Sequence, residues 1–242
     1  MSEGTNSKTL VFTATFNERD AIEQWIRRTA AAVPEADILI VDDSSPDGTA
    51  TIIEELRREF PHLTLVNRPG KQGLASAHLL ALEYAHEHGY QALVTMDADG
   101  SHQPAQIPDV VRGLDQADFC IGTRTRGGSH RAPLVRRTLT HGANLVARIL
   151  IPNGLSEYTT SFRAFSPVAI KSALSHEYVH GGYAFFVECI ENLHRDGMRM
   201  TERPIDFLDR QGGESKIPRT QIFQSARALA MLGWQRRRPL TG

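Results

Sequence analysis

The sequence predicts an α/β protein with a mostly parallel central sheet and helices on both faces. Two patterns carry this prediction. Through the first hundred residues, short apolar runs alternate with longer helical segments, the order expected of repeated strand–helix units. Three of these runs end in polar side chains, at 15–18, 42–44 and 97–99. Because ligands bind beyond the carboxyl ends of the strands in open α/β sheets, the three segments predict one site at one sheet edge.

The predicted elements follow in order along the chain. Four strands come first, over 9–14, 37–41, 63–67 and 92–96, and the first three are each followed by a helix, over 20–32, 49–60 and 74–89. Asp47 or Thr49 can cap the second of these helices. The second half is less regular, with a strand over 119–122 and helices over 134–149, 167–173 and 185–196. Neither a repeat nor a low-complexity linker divides the chain, which favours one domain.

Composition narrows the class of protein. A net charge of −1 over 242 residues gives no global case for binding nucleic acid. Cys120 and Cys189 lie in apolar runs, so we expect buried, reduced thiols. No apolar run approaches the roughly 18–20 residues that span a bilayer, and the polar, flexible segment 1–8 lacks a signal-peptide core. We therefore expect a cytoplasmic protein whose contact with the membrane is at most peripheral, at the inner face.

Asp97 and Asp99 form the most informative motif. They directly follow a short apolar run, and residues two apart on an extended chain point the same way. Two carboxylates that close together repel unless they are protonated or neutralised by a cation. A divalent metal that holds a diphosphate satisfies this requirement, since hard cations take oxygen ligands. The alternative interpretation is an exposed turn.

The segment after the first strand argues against other nucleotide-binding classes. Residues 15–18 read Thr-Phe-Asn-Glu, which does not match the glycine-rich turn of dinucleotide-binding oxidoreductases or nucleotidyltransferases. A Walker loop is absent from the sequence. A receiver domain has its acidic pair after the first strand, whereas Asp42 and Asp43 follow the second.

Several segments together resemble the inverting GT-A glycosyltransferases of family 2, and within them the polyprenol-phosphate (dolichol-phosphate) mannose synthases. The segments are 17–18, 42–49, 68–74, 97–104, 122–124, 183–188 and 202–216. The resemblance implies a GT-A catalytic domain over 9–216. It further implies transfer of a hexose to polyprenyl phosphate, with mannose from GDP-mannose as the leading prediction. The alternatives are UDP-glucose or another sugar nucleotide, a soluble acceptor, a sugar-phosphate nucleotidyltransferase, and a non-catalytic binding subunit.

The resemblance also implies roles for particular residues. Asp97, Asp99 and Ser101 would hold Mg²⁺ or Mn²⁺, although family members often carry Gln where this chain has Ser101. The donor nucleotide would be bound by a larger set, comprising Thr15, Asn17, Glu18, Asp42, Asp43, Lys71, Asp97, Arg210 and Lys216. The residues expected to act in catalysis are Asp99, Arg124 and Arg131.

The charge pattern predicts an anion site in the second half of the chain. From Phe119 to Ser156 there is no Asp or Glu, and six arginines fall inside this stretch. Arg124 directly follows a predicted strand, and the resemblance implies that Arg131, with help from Arg136, binds the acceptor phosphate. We assign all three to that phosphate, which guanidinium groups bind in a bidentate manner. Arg137 and Arg148 suit a solvated helix face. A phosphate acceptor is already anionic at pH 7, so the reaction needs no general base.

The segment 157–163 departs from the family pattern, because Ser161 stands where a glycine is common. In the same segment, Arg163 can equally be structural, paired with a carboxylate behind the site.

The tail 217–242 has no acidic residue, and its pattern predicts a basic amphipathic helix. This tail can anchor to anionic lipid or dock on its own domain.

Overall fold

The computed structural model describes residues 8–131, 134–151 and 153–209. The first half holds β1 (Thr9–Thr15), α1 (Arg19–Ala32), β2 (Asp37–Asp42), α2 (Thr49–Leu56), β3 (Leu63–Asn67), α3 (Leu74–Glu87) and β4 (Ala92–Thr95). The second half holds α4 (Ile107–Arg112), β5 (Phe119–Thr123), β6 (Ser129–His130), α5 (Leu134–Leu150), β7 (Arg163–Phe165), α6 (Pro167–Leu174), α7 (Tyr183–Arg195), β8 (Met200–Pro204) and β9 (Asp206–Phe207). Single 3₁₀ turns flank α4.

Seven strands form one sheet in the order β3-β2-β1-β4-β7-β5-β8, and β6 pairs with β9 outside it. The pairs β1–β2, β2–β3, β1–β4 and β5–β8 are parallel, whereas β7 runs antiparallel between β4 and β5. The prediction of a mostly parallel α/β sheet is confirmed. The carboxyl ends of β1, β2, β4 and β5 consequently meet at one edge, which is where the candidate site lies.

Helices cover both faces of the sheet, as predicted. Along β1, Leu10 and Phe12 point into one core while Val11 points into the other, because successive side chains of a strand alternate between faces. The first core is completed by α3, α6 and α7, and the second by α1, α2 and α4. Each such side chain that is fully buried stabilises the fold by about 1.5–3 kcal/mol.

Some predicted boundaries were wrong. Helix α2 ends at Leu56 rather than near 60, and its N-cap is Gly48, in the left-handed region at φ 91°. Neither Asp47 nor Thr49 therefore takes the N-cap position. Asp47 instead accepts the N–H of Thr49 at 3.0 Å, which still satisfies a donor of the first turn.

Cys120 and Cys189 are buried free thiols, as expected. Burial raises the pKa of the Cys120 thiol to about 12, so it is protonated at neutral pH. Within the described ranges, no helix combines the length and apolarity needed to cross a bilayer. The segment 1–7 and everything after Asp209, including the predicted boundary at 216 and the tail 217–242, lie outside the described residues.

Candidate active site

The segment that follows β4, residues 97–102, is called the acidic loop below. The Asp97 side chain is 41% exposed, and its Oδ1 accepts a hydrogen bond of 2.6 Å from Ser161 Oγ. Asp99 is buried, and its Oδ1 accepts the Ser101 backbone N–H at 3.0 Å and the Ser101 hydroxyl at 2.5 Å. In this arrangement Ser101, which was predicted to be a metal ligand, orients Asp99 through its hydroxyl.

His102 fixes the acidic loop from behind. Its Nδ1 accepts the backbone N–H of Asp97 at 3.1 Å, so the proton lies on Nε2, which donates to Thr160 Oγ1 at 3.0 Å. The imidazole is 1% exposed and packs against the rings of Phe162 and Phe207. Burial lowers the pKa of His102, which keeps the ring neutral at pH 7.

Asp42 lies at the tip of β2 and has no exposed surface. Its Oδ1 accepts the hydroxyls of Thr15 at 2.8 Å and Ser45 at 2.6 Å, and its Oδ2 accepts the Ser45 N–H at 2.7 Å. The structure thus brings together Thr15 and Asp42, two of the predicted donor residues. Their hydrogen bonds shape the turn after β2.

Asp43, like Asp42, accepts hydrogen bonds on both carboxylate oxygens. Its Oδ1 accepts Arg68 Nε at 2.6 Å, and its Oδ2 accepts the backbone N–H groups of Gln72 at 3.2 Å and Gly73 at 3.3 Å. This carboxylate therefore ties the β2 turn to the glycine-containing loop that opens α3. Arg68, which the sequence reasoning did not assign, is the residue that neutralises it.

Asn17 and Glu18 lie in the loop after β1, and Lys71 lies in the loop that opens α3. Asn17 has a positive φ of 59° and is exposed, and its N–H donates to Ser45 Oγ at 2.9 Å. The N–H of Glu18 donates to Thr49 Oγ1 at 3.0 Å. The ammonium of Lys71 lies 4.4 Å from the centre of the Phe16 ring. Backbone contacts thus hold the loop after β1 against the segment that follows β2.

Arg124, which follows β5, forms a buried ion pair with Glu157. Its Nε and Nη2 lie 2.9 and 2.7 Å from the two carboxylate oxygens, and Nη2 also donates to Thr159 Oγ1 at 2.7 Å. Glu157 additionally accepts Asn144 Nδ2 at 2.9 Å. Although burial opposes ionisation, the Arg124 guanidinium and these hydrogen bonds hold the pKa of Glu157 at about 2. Arg124 is only 8% exposed, so most of its binding capacity is directed inward.

Arg131 is an exposed cation seven residues after Arg124 in the chain. Its backbone N–H donates to the Phe207 carbonyl at 2.9 Å, which places it directly after the β6–β9 pair. Arg136 lies in α5, and its side chain is outside what the structure describes. Arg210 and Lys216 also lie outside the described residues, so their predicted contact with the donor stays a prediction.

Arg163 is structural. Its guanidinium donates to the carbonyl oxygens of Tyr158 and Thr160 at 2.8 Å and of Phe186 at 3.0 Å. Three carbonyl oxygens take the place of the carboxylate that the sequence led us to expect. Burial lowers the pKa of Arg163 to about 10, so it stays charged at neutral pH and fixes the segment that carries Ser161.

The residues at the end of β4 fit a divalent cation. Asp97 offers an exposed carboxylate and Asp99 a second one two residues on, which is a hard-oxygen donor set. Throughout the described ranges, no group of three or more His, Cys, Asp or Glu side chains is arranged for a metal. Asp97 and Asp99 are the two carboxylates that would hold a cation here.

Comparison with known proteins gives a consistent result. The model of the family described as "Glycosyl transferase family 2" matches residues 10–173. The chain is 34% identical over 212 residues to the undecaprenyl-phosphate mannosyltransferase of Micrococcus luteus, covering 87% of each chain. It is 33% identical over 230 residues to the polyprenol monophosphomannose synthase of Mycolicibacterium smegmatis, covering 93% of this chain and 87% of that protein.

Solved structures support the fold. Glucosyl-3-phosphoglycerate synthase from Mycobacterium tuberculosis, in complex with Mn²⁺, UDP and glucosyl-3-phosphoglycerate, superimposes with a TM-score of 0.69 at 17% identity, covering 98% of this chain and 82% of that one. A mannosyltransferase from Pyrobaculum calidifontis, in complex with GDP-Man and Mn²⁺, gives a TM-score of 0.61 at 16% identity, with coverage of 96% and 76%. The predicted GT-A fold is confirmed.

Proposed function

The chain belongs to glycosyl transferase family 2, and from that premise we propose that it transfers mannose from GDP-mannose to polyprenyl phosphate, with inversion at the sugar carbon. The names of two relatives that match almost the whole chain support this reaction. One structural observation carries the proposal. The acidic loop at the end of β4 is hydrogen-bonded, through Ser101 and Leu208, to the segment that positions the exposed Arg131.

The acidic loop forms the donor end of the proposed site. Asp97 and Asp99 would hold Mg²⁺ or Mn²⁺, which neutralises the charge that develops on the departing nucleoside diphosphate. Ser161 and Ser101 orient these two carboxylates. The donor itself would be contacted by Asn17, Glu18, Lys71, Arg210 and Lys216, whereas the buried Thr15, Asp42 and Asp43 would position the loops around it.

The arginines form the acceptor end. Arg131, together with Arg136 five residues further along the chain, would bind the acceptor phosphate. The two would hold one phosphate oxygen in line with the bond to the leaving group. Arg124 would fix the backbone between β5 and β6 through its pair with Glu157. Because the attacking oxygen is already anionic, rate enhancement would come from positioning and charge stabilisation rather than from proton removal.

A surface of α5 suits a lipid-linked acceptor. Leu145, Val146 and Ile149 are 56%, 45% and 70% exposed, and the exposed Arg137 and Arg148 lie on the same helix. Apolar side chains between basic ones are typical of a helix that lies at the surface of an anionic membrane. We propose that α5 brings the active site to the bilayer, whatever the tail 217–242 contributes.

A substrate panel tests the proposal. The purified protein is incubated with GDP-mannose, UDP-glucose or GDP-glucose, and with a short polyprenyl phosphate, the corresponding polyprenol or 3-phosphoglycerate. We expect a mannosyl lipid phosphate from GDP-mannose and the lipid phosphate only. Transfer to the polyprenol would contradict the role of the arginines. Transfer to 3-phosphoglycerate would favour the soluble-acceptor alternative, for which a fold neighbour solved with glucosyl-3-phosphoglycerate provides the precedent.

A further inference from the structure

Phe207 packs at the junction between the acidic loop and the arginines. Its side chain is 2% exposed. The ring meets His102 at 5.2 Å and His130 at 5.1 Å between centroids, in both cases nearly perpendicular. The guanidinium carbon of Arg124 lies 4.9 Å from the centre of the same ring. One phenylalanine thus contacts the acidic loop, β6 and the end of β5.

The backbone around Phe207 makes the same connection. Its carbonyl oxygen accepts the N–H of Arg131 at 2.9 Å, and the N–H of the next residue, Leu208, donates to the Ser101 carbonyl at 3.0 Å. Phe207 belongs to β9, a two-residue strand that pairs with β6 outside the seven-stranded sheet. Because that pair lies outside the main sheet, the contact of the Phe207 ring with His102 and the hydrogen bond from Leu208 to Ser101 connect it to the acidic loop.

We propose that Phe207 is a positioning residue that couples the acidic loop to Arg131, so that filling the donor site and filling the acceptor site stabilise each other. The connection runs from Asp97 through its hydrogen bond to His102, across the ring of Phe207, and through its carbonyl oxygen to Arg131. The inference rests on the proposed function, because it takes the acidic loop as the donor end and Arg131 as the acceptor end.

Such coupling has a kinetic consequence. The attacking phosphate oxygen and the sugar carbon must approach to within about 3–3.5 Å, and a misplacement of about 1 Å lowers the rate on the order of 100-fold. A rigid aromatic contact between the two halves of the site limits that misplacement. Leucine at position 207 would keep the burial but lose the flat face for Arg124 and the edges for the two imidazoles.

The test compares Phe207→Leu with a matched control, Phe165→Leu. Phe165 is also buried and packs perpendicular to another ring, Phe119 at 4.9 Å, but it pairs with Leu93 in β4, away from the carboxyl end. Calorimetry measures the affinity for Mn²⁺–GDP with and without a short polyprenyl phosphate. In the wild type and in Phe165→Leu, we expect the lipid phosphate to raise that affinity at least about five-fold. In Phe207→Leu the enhancement should disappear, while the affinity for Mn²⁺–GDP alone changes less than about two-fold.

Steady-state kinetics provide a second readout. We expect Phe207→Leu to lower kcat at least about ten-fold, and Phe207→Tyr, which keeps the ring, to restore most of it. If Phe207→Leu does not fold, Phe207→Met replaces it, since methionine fills similar volume without a ring. Coupling retained in Phe207→Leu or Phe207→Met, or lost equally in Phe165→Leu, would overturn the inference.

The proposed function and the role of Phe207 can be refuted independently of each other. A wild-type protein that shows coupled binding but transfers no sugar would refute the proposed function and leave the role of Phe207 standing. A wild-type protein that transfers mannose without any coupling would refute the role of Phe207 alone.

Discussion

Ser161 donates a hydrogen bond of 2.6 Å to the exposed carboxylate of the acidic loop, Asp97 Oδ1. Ser161 is the residue at which this chain departs from the glycine common in the family that it resembles. The departure therefore adds a contact to one of the two carboxylates expected to hold the metal. Arg163 and His102 fix the segments on either side of this contact.

Ser161→Gly should weaken the binding of Mn²⁺ in the presence of GDP. Hydrogen bonds to metal-ligating carboxylates orient them, and their loss typically costs about 10–100-fold in affinity. We expect a loss near the lower end, about ten-fold, because Asp99 keeps its own partner in Ser101. Calorimetric titration with Mn²⁺ measures the effect, with the exposed Ser175→Ala as control. An unchanged Mn²⁺ affinity would show that the contact is incidental.

Arg131→Ala should impair use of the acceptor selectively. We expect the KM for a short polyprenyl phosphate to rise, or kcat to fall, by more than about ten-fold, which corresponds to an interaction of at least about 1.4 kcal/mol. The affinity for GDP should change little. Arg58→Ala removes an exposed arginine near the end of α2 and serves as control. A mutant that handles the lipid phosphate normally but binds nucleotide poorly would reverse the assignment.

The pair between Arg124 and Glu157 should make stability depend on pH. The pKa of Glu157 falls from its ordinary value of 4.5 to about 2 in the folded protein, so its contribution is fully present above pH 4.5 and is lost as the pH falls toward 2. The contribution is about 3 kcal/mol. Glu157→Gln should therefore lower the free energy of unfolding at pH 7 by about that amount, since it leaves a buried guanidinium without a counter-charge.

Urea unfolding at pH 7 and near pH 2.5 tests this prediction. The difference between wild type and Glu157→Gln should shrink at the lower pH, because the wild-type carboxylate is then becoming protonated. The double mutant Arg124→Leu with Glu157→Leu should be less destabilised than Glu157→Gln, since no charge is left buried. A difference that is the same at both pH values would contradict the assigned ion pair.

The exposed face of α5 should bind anionic membranes. Replacing Leu145 and Ile149 with Ser should reduce binding to phosphatidylglycerol-containing liposomes at least about ten-fold, because it removes apolar side chains that insert between lipids. Replacing Val168 and Val179, which are 54% and 82% exposed on other segments, is the matched control. Raised salt should weaken binding of the wild type by screening Arg137 and Arg148. Equal loss in both double mutants would argue against α5 as the contact.

Much of the fold was predictable from the sequence, because β1 to β4 are short apolar runs bounded by polar turns. Strand β7 was missed since it is only three residues long, begins with the buried Arg163 and pairs antiparallel between strands distant in sequence. In β8, charged residues and a proline hide the strand pattern, and its position is fixed by pairing with β5.

The candidate site was predictable where local spacing carries the information. Asp97 and Asp99 are two residues apart and directly follow the apolar run of β4, so this motif can be recognised from the sequence alone. Glu157 was missed because its pairing with Arg124 joins positions 33 residues apart, although it is the first acidic residue after the acid-free stretch. Phe207 was missed for the same reason, since only the tertiary structure brings its ring to His102 and Arg124.

The most direct test is the rate at which the purified protein converts GDP-mannose and a short polyprenyl phosphate into a mannosyl lipid phosphate. We expect transfer in Mn²⁺ or Mg²⁺ with inverted configuration at the sugar carbon, loss of transfer in EDTA, and recovery when the metal is restored. Asp99→Ala should abolish turnover without changing the circular dichroism spectrum. Full activity in EDTA, or activity in Asp99→Ala equal to that of the wild type, would contradict the account.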